Sequence, residues 1–116
     1  MKFVTKNWEE IVRSDEHLVK LVEHSLQKEE RFSVGDSNKN CLVLGIYMDE
    51  GAVLELHRGL KWESWISPPI ERDWVVQTFV DYYGHGDIAD ERLNAAPEWL
   101  EAAMFTRWFM RSLPWS

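Results

Sequence analysis

Cys41-Leu42-Val43-Leu44-Gly45-Ile46-Tyr47-Met48 decides the fold, because it is apolar at both parities. A strand sends successive side chains to opposite faces, so a run apolar on both sides is covered on both sides and lies centrally in a sheet. Leu42, Leu44, Ile46 and Met48 fall on one side, with Cys41, Val43 and Tyr47 on the other. Asp49-Glu50-Gly51 then reads as a hairpin turn, since Gly51 can take a positive φ. The strand 52–58 sets Leu54 and Leu56 against Val53, Glu55 and His57. After Gly59, residues 60–67 read as a further strand, with Leu60, Trp62 and Ile66 on one face and Lys61, Glu63 and Trp65 on the other. Residues 31–34 add a short strand ahead of the turn-rich stretch 35–40. The prediction is an antiparallel meander of three to four strands.

Helices flank this meander. Asn7-Trp8-Glu9-Glu10 has the spacing of a capping box, which predicts a helical turn through Val12. Ser14-Asp15-Glu16 opens a helix to about Lys28, with Leu18, Leu21, Val22, Ser25 and Leu26 on its packed face. Pro68-Pro69 ends the sheet, because proline cannot donate to a ladder. Residues 74–83 are β-branched and aromatic, but at helical spacing Val75, Val76, Phe79, Val80, Tyr82 and Tyr83 form one arc. Trp74, Gln77, Thr78 and Asp81 lie opposite, and Gly84 is the expected stop. A polar connection, 84–95, leads to a last helix from Pro97 to about Arg111 that is apolar on most sides. Such a helix needs two partners, the second being the other face of the sheet or another molecule. The fold class is α+β, with N-terminal, middle and C-terminal helices on the meander.

Composition bounds the function. The 116 residues suit one domain, 1–116, and 45% hydrophobic with 28% charged residues is globular composition. The formal charge of −7 disfavours nucleic acid as a partner. No apolar run approaches the ~20 residues of a membrane span, and no secretory signal opens the chain, so a cytoplasmic location is expected. A single cysteine excludes an internal disulfide. Seven tryptophans are a heavy load for so small a core, so some are expected at the surface or in an interface.

The search for chemistry returns little. Cys41 heads an apolar strand with no adjacent cation and reads as an inert buried thiol. His17 and His24 sit two helical turns apart, ~10 Å, too far to share a metal. Gly84-His85-Gly86-Asp87-Ile88-Ala89 has dinucleotide-fingerprint spacing but follows a helix, not a strand. His85, Asp87, Asp90 and Glu91 read as solvated loop groups rather than metal ligands. No catalytic residue, metal site or cofactor is assigned.

The order of elements carries a resemblance. A meander whose last strand holds Leu60-Lys61-Trp62-Glu63-Ser64-Trp65 runs through Pro68-Pro69 into a helix ending Tyr82-Tyr83-Gly84. Over residues 31–84 this resembles the small acidic immunity proteins that bacteria pair with polymorphic or contact-dependent-inhibition toxins. The resemblance implies a stoichiometric inhibitor of a cognate basic toxin domain, such as a nuclease, and no enzymatic activity. An acidic face with aromatic anchors would fill a basic groove, giving fast association and long residence. The candidate partner-binding residues are Trp65 with Glu55, His57 and Glu63 around it, then Trp74 with Asp81, and Asp87, Asp90 and Glu91 in the loop. The alternatives are a homo-oligomeric module, self-associating through 99–110, and a small hydrolase using His57 or His85.

Overall fold

The structure, a computed structural model, describes residues 1–101. Its elements run β1 (Lys2–Thr5), β2 (Glu9–Ile11), α1 (Asp15–Gln27), β3 (Phe32–Ser37), β4 (Asn40–Met48), β5 (Gly51–Arg58), β6 (Glu63–Ile66), α2 (Arg72–His85), α3 (Asp90–Leu93) and β7 (Leu100–Glu101). Among the described residues the strands form one sheet in the order β2-β1-β3-β4-β5-β6-β7, every pair antiparallel. The α+β class and antiparallel meander are as read from the sequence, and the sheet is wider than expected.

The extra width comes first from the N-terminus. The helical turn expected at 7–12 is instead a hairpin of β1 and β2. Thr5 displaces Asn7 as the organising polar residue: its Oγ1 accepts from the backbone of Asn7 at 3.3 Å and Trp8 at 3.2 Å. The Thr5 amide donates to the Trp8 carbonyl at 2.8 Å. Phe3 is thereby turned inward, stacked between Trp8 and Phe32 at centroid distances of 5.4 and 4.8 Å. The helix begins where Ser14 caps it, its side chain accepting from the His17 amide at 3.1 Å.

One face of the sheet takes all three helices. Phe3, Val34, Leu42, Leu44, Leu54 and Leu56 meet Leu18, Val22 and Leu26 of α1, Val75, Phe79 and Tyr82 of α2, and Leu93 of α3 in a single core. The opposite face carries Cys41, Val43, Val53 and Glu55, also buried, so β4 is covered on both sides as its sequence demands. The register shifts between Leu44 and Ile46, a β-bulge at Gly45. Beyond it the expected parity reverses. Tyr47 pairs with Ala52 and joins the helix face, where its hydroxyl donates to the Glu30 carbonyl at 2.7 Å beyond the end of α1.

Gly51 is required by its neighbours as well as by its φ of +147°. Ala52 and Ile70 exchange two backbone hydrogen bonds of 2.8 Å, bringing the segment after Pro69 so close that a Cβ on Gly51 would lie 2.0 Å from the Ile70 oxygen. The helix that follows is longer than the sequence suggested. It passes through Gly84, and Gly86, at φ 71°, is the residue that ends it, its amide donating to the Tyr82 carbonyl at 2.7 Å.

Two further expectations change. The strand expected at 60–67 is confined to β6, because residues 59–62 form the hairpin turn, with Lys61 donating to Arg58 and Trp62 to Gly59. The helix expected from Pro97 does not start there: Leu100–Glu101 is strand β7, paired with Ile66 and Trp65. The rest of that expected helix, 102–111, lies outside the described residues. Among the described residues no helix is long and apolar enough to cross a membrane.

Candidate interaction surface

The polar centre of the molecule is Arg58, the last residue of β5. It is buried at the end of the sheet on the helix face, and each nitrogen of its guanidinium donates a hydrogen bond. Nε donates to Asp87 at 2.9 Å, Nη1 to Asp90 at 2.8 Å and to Glu63 at 3.0 Å, and Nη2 to the Ile88 carbonyl. Burial works against the charged guanidinium, but the three carboxylates outweigh it and raise the arginine's pKa. Asp90 is correspondingly held below its ordinary value by Arg58. Asp87 and Asp90 therefore fasten the loop after α2 to the sheet.

Trp65 belongs to the same corner. It sits opposite Leu56, half-buried on the helix face, and its indole N–H donates to Glu63 at 3.1 Å. That bond and the contact with Arg58 lower the Glu63 pKa. Glu55 and His57 are elsewhere. They pair across β5–β6 with Ile66 and Ser64 and point to the opposite face. The proposed grouping of Trp65 with Glu55, His57 and Glu63 is thus divided by the sheet itself: Trp65 and Glu63 on one side, Glu55 and His57 on the other.

Glu55 is fully buried, and neither carboxylate oxygen has a hydrogen-bond partner among the described residues. Burial pushes its pKa up to about 7. Burial also lowers the pKa of His57, whose Nδ1 is 3.3 Å from the Ser64 hydroxyl. Cys41, His57, Ser33 and Val43 line a groove of about 970 Å³ on this face. The Cys41 thiol donates to the Asn38 carbonyl at 3.6 Å, and burial with the nearby Glu55 pushes its pKa up to about 12. A thiol held protonated at neutral pH is a poor nucleophile.

Trp74 and Asp81 share one side of α2, as the helical spacing predicted. Asp81 accepts from Gln77 at 2.9 Å and pairs with Arg92 of α3, whose other nitrogen reaches Thr78 at 3.2 Å. Thr78, expected on the polar side, is buried and donates to the Trp74 carbonyl at 2.6 Å. Trp74 is 60% exposed and forms one wall of a groove of about 430 Å³, with Pro69, Ala96, Pro97 and Trp99 among its other walls. Glu91 is exposed on α3.

The exposed apolar pair at the β5–β6 turn was absent from the sequence-based set. Leu60 is 96% and Trp62 81% exposed, and Trp62 holds a left-handed φ of 55°. Gly59 following a strand was the available signal; reading 60–67 as a continuous strand concealed it. Among the described residues no three His, Cys, Asp or Glu side chains are placed to hold a metal. Comparison with protein-family models, curated proteins and solved structures finds no match for this chain.

Proposed function

We propose that this chain is a stoichiometric protein-binding inhibitor: a cytoplasmic immunity protein that occludes the active site of a cognate basic toxin domain and performs no chemistry itself. The observation that supports it most is the exposure of large aromatic side chains, Trp62 and Trp74, on a chain of formal charge −7. Rigid aromatics standing out of an acidic surface are the usual anchors of a protein contact, and the charge speeds the approach of a basic partner. The Cys41 thiol, held protonated and bonded to the Asn38 carbonyl, fits binding better than nucleophilic catalysis.

Trp74 with its groove is the part of the earlier candidate set best disposed for contact. Glu91 is the candidate carboxylate free to face a partner, because Asp87, Asp90 and Glu63 serve Arg58 and Asp81 serves Arg92. The test is co-purification from the cells that encode the chain, followed by light scattering of the complex. A one-to-one complex with a basic protein, weakened by Trp74→Ala, agrees with the reading; a chain that elutes alone at every salt concentration refutes it. A second reading, self-association through 99–110, is favoured by Leu100, which is exposed on β7. The same scattering experiment on the purified chain separates the two.

A further inference from the structure

We infer that the β5–β6 hairpin tip, Leu60-Lys61-Trp62, is an insertion element that enters an apolar pocket bordered by lysine or arginine on a protein partner. The inference rests on the inhibitor reading for the existence of a partner and adds which part of this chain penetrates it.

Exposure is the first argument. Leu60 and Trp62 are more exposed than the other large apolar side chains of the described residues, at 96% and 81%, and they are two residues apart on one turn. Single exposed apolar residues are ordinary, but an adjacent leucine and tryptophan at a tip form a wedge with no use inside the fold. The backbone points the same way. Trp62 stands at φ 55°, where a bulky L-residue is disfavoured, and glycine or asparagine would close the same turn with less strain. Turn formation therefore gives no reason for tryptophan here.

The base of the tip is rigid. The tip grows from Arg58, which is bonded to Glu63 on the returning strand and to Asp87, Ile88 and Asp90. The Gly59 backbone packs on Lys39: a Cβ there would lie 3.1 Å from the Lys39 carbonyl oxygen. A wedge on a braced base loses little freedom on binding, which is the condition for a strong anchor.

Charge selects the partner. At the base of the tip Asp87, Asp90 and Glu63 are taken up by Arg58, with Lys61 close enough to act on Asp90 and Glu63; the exposed Glu91 adjoins Asp90, and the chain as a whole is at −7. An anionic lipid surface would be repelled, as would a second copy of the chain, whereas a basic rim around an apolar pocket would be attracted.

The test places the photoreactive residue p-benzoylphenylalanine at position 62 and, in a separate protein, at position 74, in the cells that encode the chain. Expected is an adduct from position 62 with one basic protein, through a peptide of apolar residues flanked by lysine or arginine. That purified protein is then titrated with the wild type, Leu60→Ser, Trp62→Gly and Trp62→Asn. Loss of roughly 30-fold or more in affinity, with thermal stability retained, agrees with the inference. The Trp62 pair guards against misfolding, because both replacements accept the left-handed backbone. A protein adduct from position 74 but none from 62, or unchanged affinity in the Trp62 variants, overturns the inference and leaves the inhibitor reading standing. Adducts from 62 to lipid or to a second copy overturn it as well. No protein adduct from either position refutes both.

Discussion

Glu55→Gln should remove a pH dependence from folding that the wild type carries. The carboxyl is fully buried on the face opposite the helices, without a hydrogen-bond partner among the described residues, and its pKa rises from an ordinary 4.5 to about 7. A carboxyl whose folded pKa lies above its unfolded one binds its proton more tightly in the native state. Its stabilisation is fully present below about pH 4.5 and is lost as pH rises through about 7. At about 1.4 kcal/mol for each factor of ten in proton affinity, the loss across that window is about 3 kcal/mol. His57 has the opposite sign: burial lowers its pKa, so its contribution is lost as pH falls below the ordinary histidine range. Both proteins carry His57, so the difference between them isolates Glu55. Urea unfolding of wild type and Glu55→Gln at about pH 5 and about pH 8.5 gives the four free energies needed. Glutamine leaves its own buried amide unpaired, which offsets the variant at both pH values and does not alter the comparison. The expected result is a wild type that loses about 3 kcal/mol more than the variant between the two conditions. Parallel behaviour of the two proteins would show that Glu55 is solvated or paired and would refute the reasoning.

Four further substitutions have expected outcomes. Arg58→Met should destabilise by roughly 1–3 kcal/mol in urea unfolding, because it removes the buried donor that holds the Ile88 carbonyl and the Asp87–Asp90 segment to the sheet, while the carboxylates it leaves are open to solvent. Arg58→Lys should recover only part of this, since an ammonium cannot reproduce the guanidinium fork. Gly51→Ala should cost at least about 3 kcal/mol, measured by thermal unfolding, because the added Cβ would meet the Ile70 carbonyl at 2.0 Å in a backbone already at φ +147°. Trp62→Asn should leave the melting temperature equal or higher, the relieved left-handed strain being worth up to about 1 kcal/mol, whatever it does to binding.

Local chemistry explains which elements the sequence revealed. Ser14 with Leu18, Val22 and Leu26 marks α1 by its own cap and spacing, and the two-sided apolar run of β4 needs no partner to be recognised. The β4–β5 hairpin is equally local, because Gly51 supplies its backbone. What escaped depends on contacts distant in sequence. The Gly45 bulge is defined only by the pairing of β4 with β5, and it carries Tyr47 to the helix side. Asn7 and Glu10 have capping-box spacing, but Thr5 captured the turn and β3 rewarded an extended β1.

The candidate surface was legible to a smaller degree for the same reason. Trp74 and Asp81 share a helix side by spacing alone. Strand alternation groups Trp65 with Glu55, yet the observed register sets Trp65 against Leu56 and Glu55 against Ile66, on opposite faces. Arg58 looked like the end of a strand, and its three carboxylates lie 5, 29 and 32 residues away in sequence. No local pattern could have assembled them.

As the inhibitor proposed here, this chain would bind a basic protein one to one. The direct measurement is to purify the protein that co-elutes with the tagged chain in moderate salt, assay its activity, and titrate the chain back onto it. Activity should fall linearly to zero at one equivalent, with a Trp62→Gly chain needing a large excess. A partner that stays fully active when saturated, or a chain that recovers nothing except itself, would contradict it.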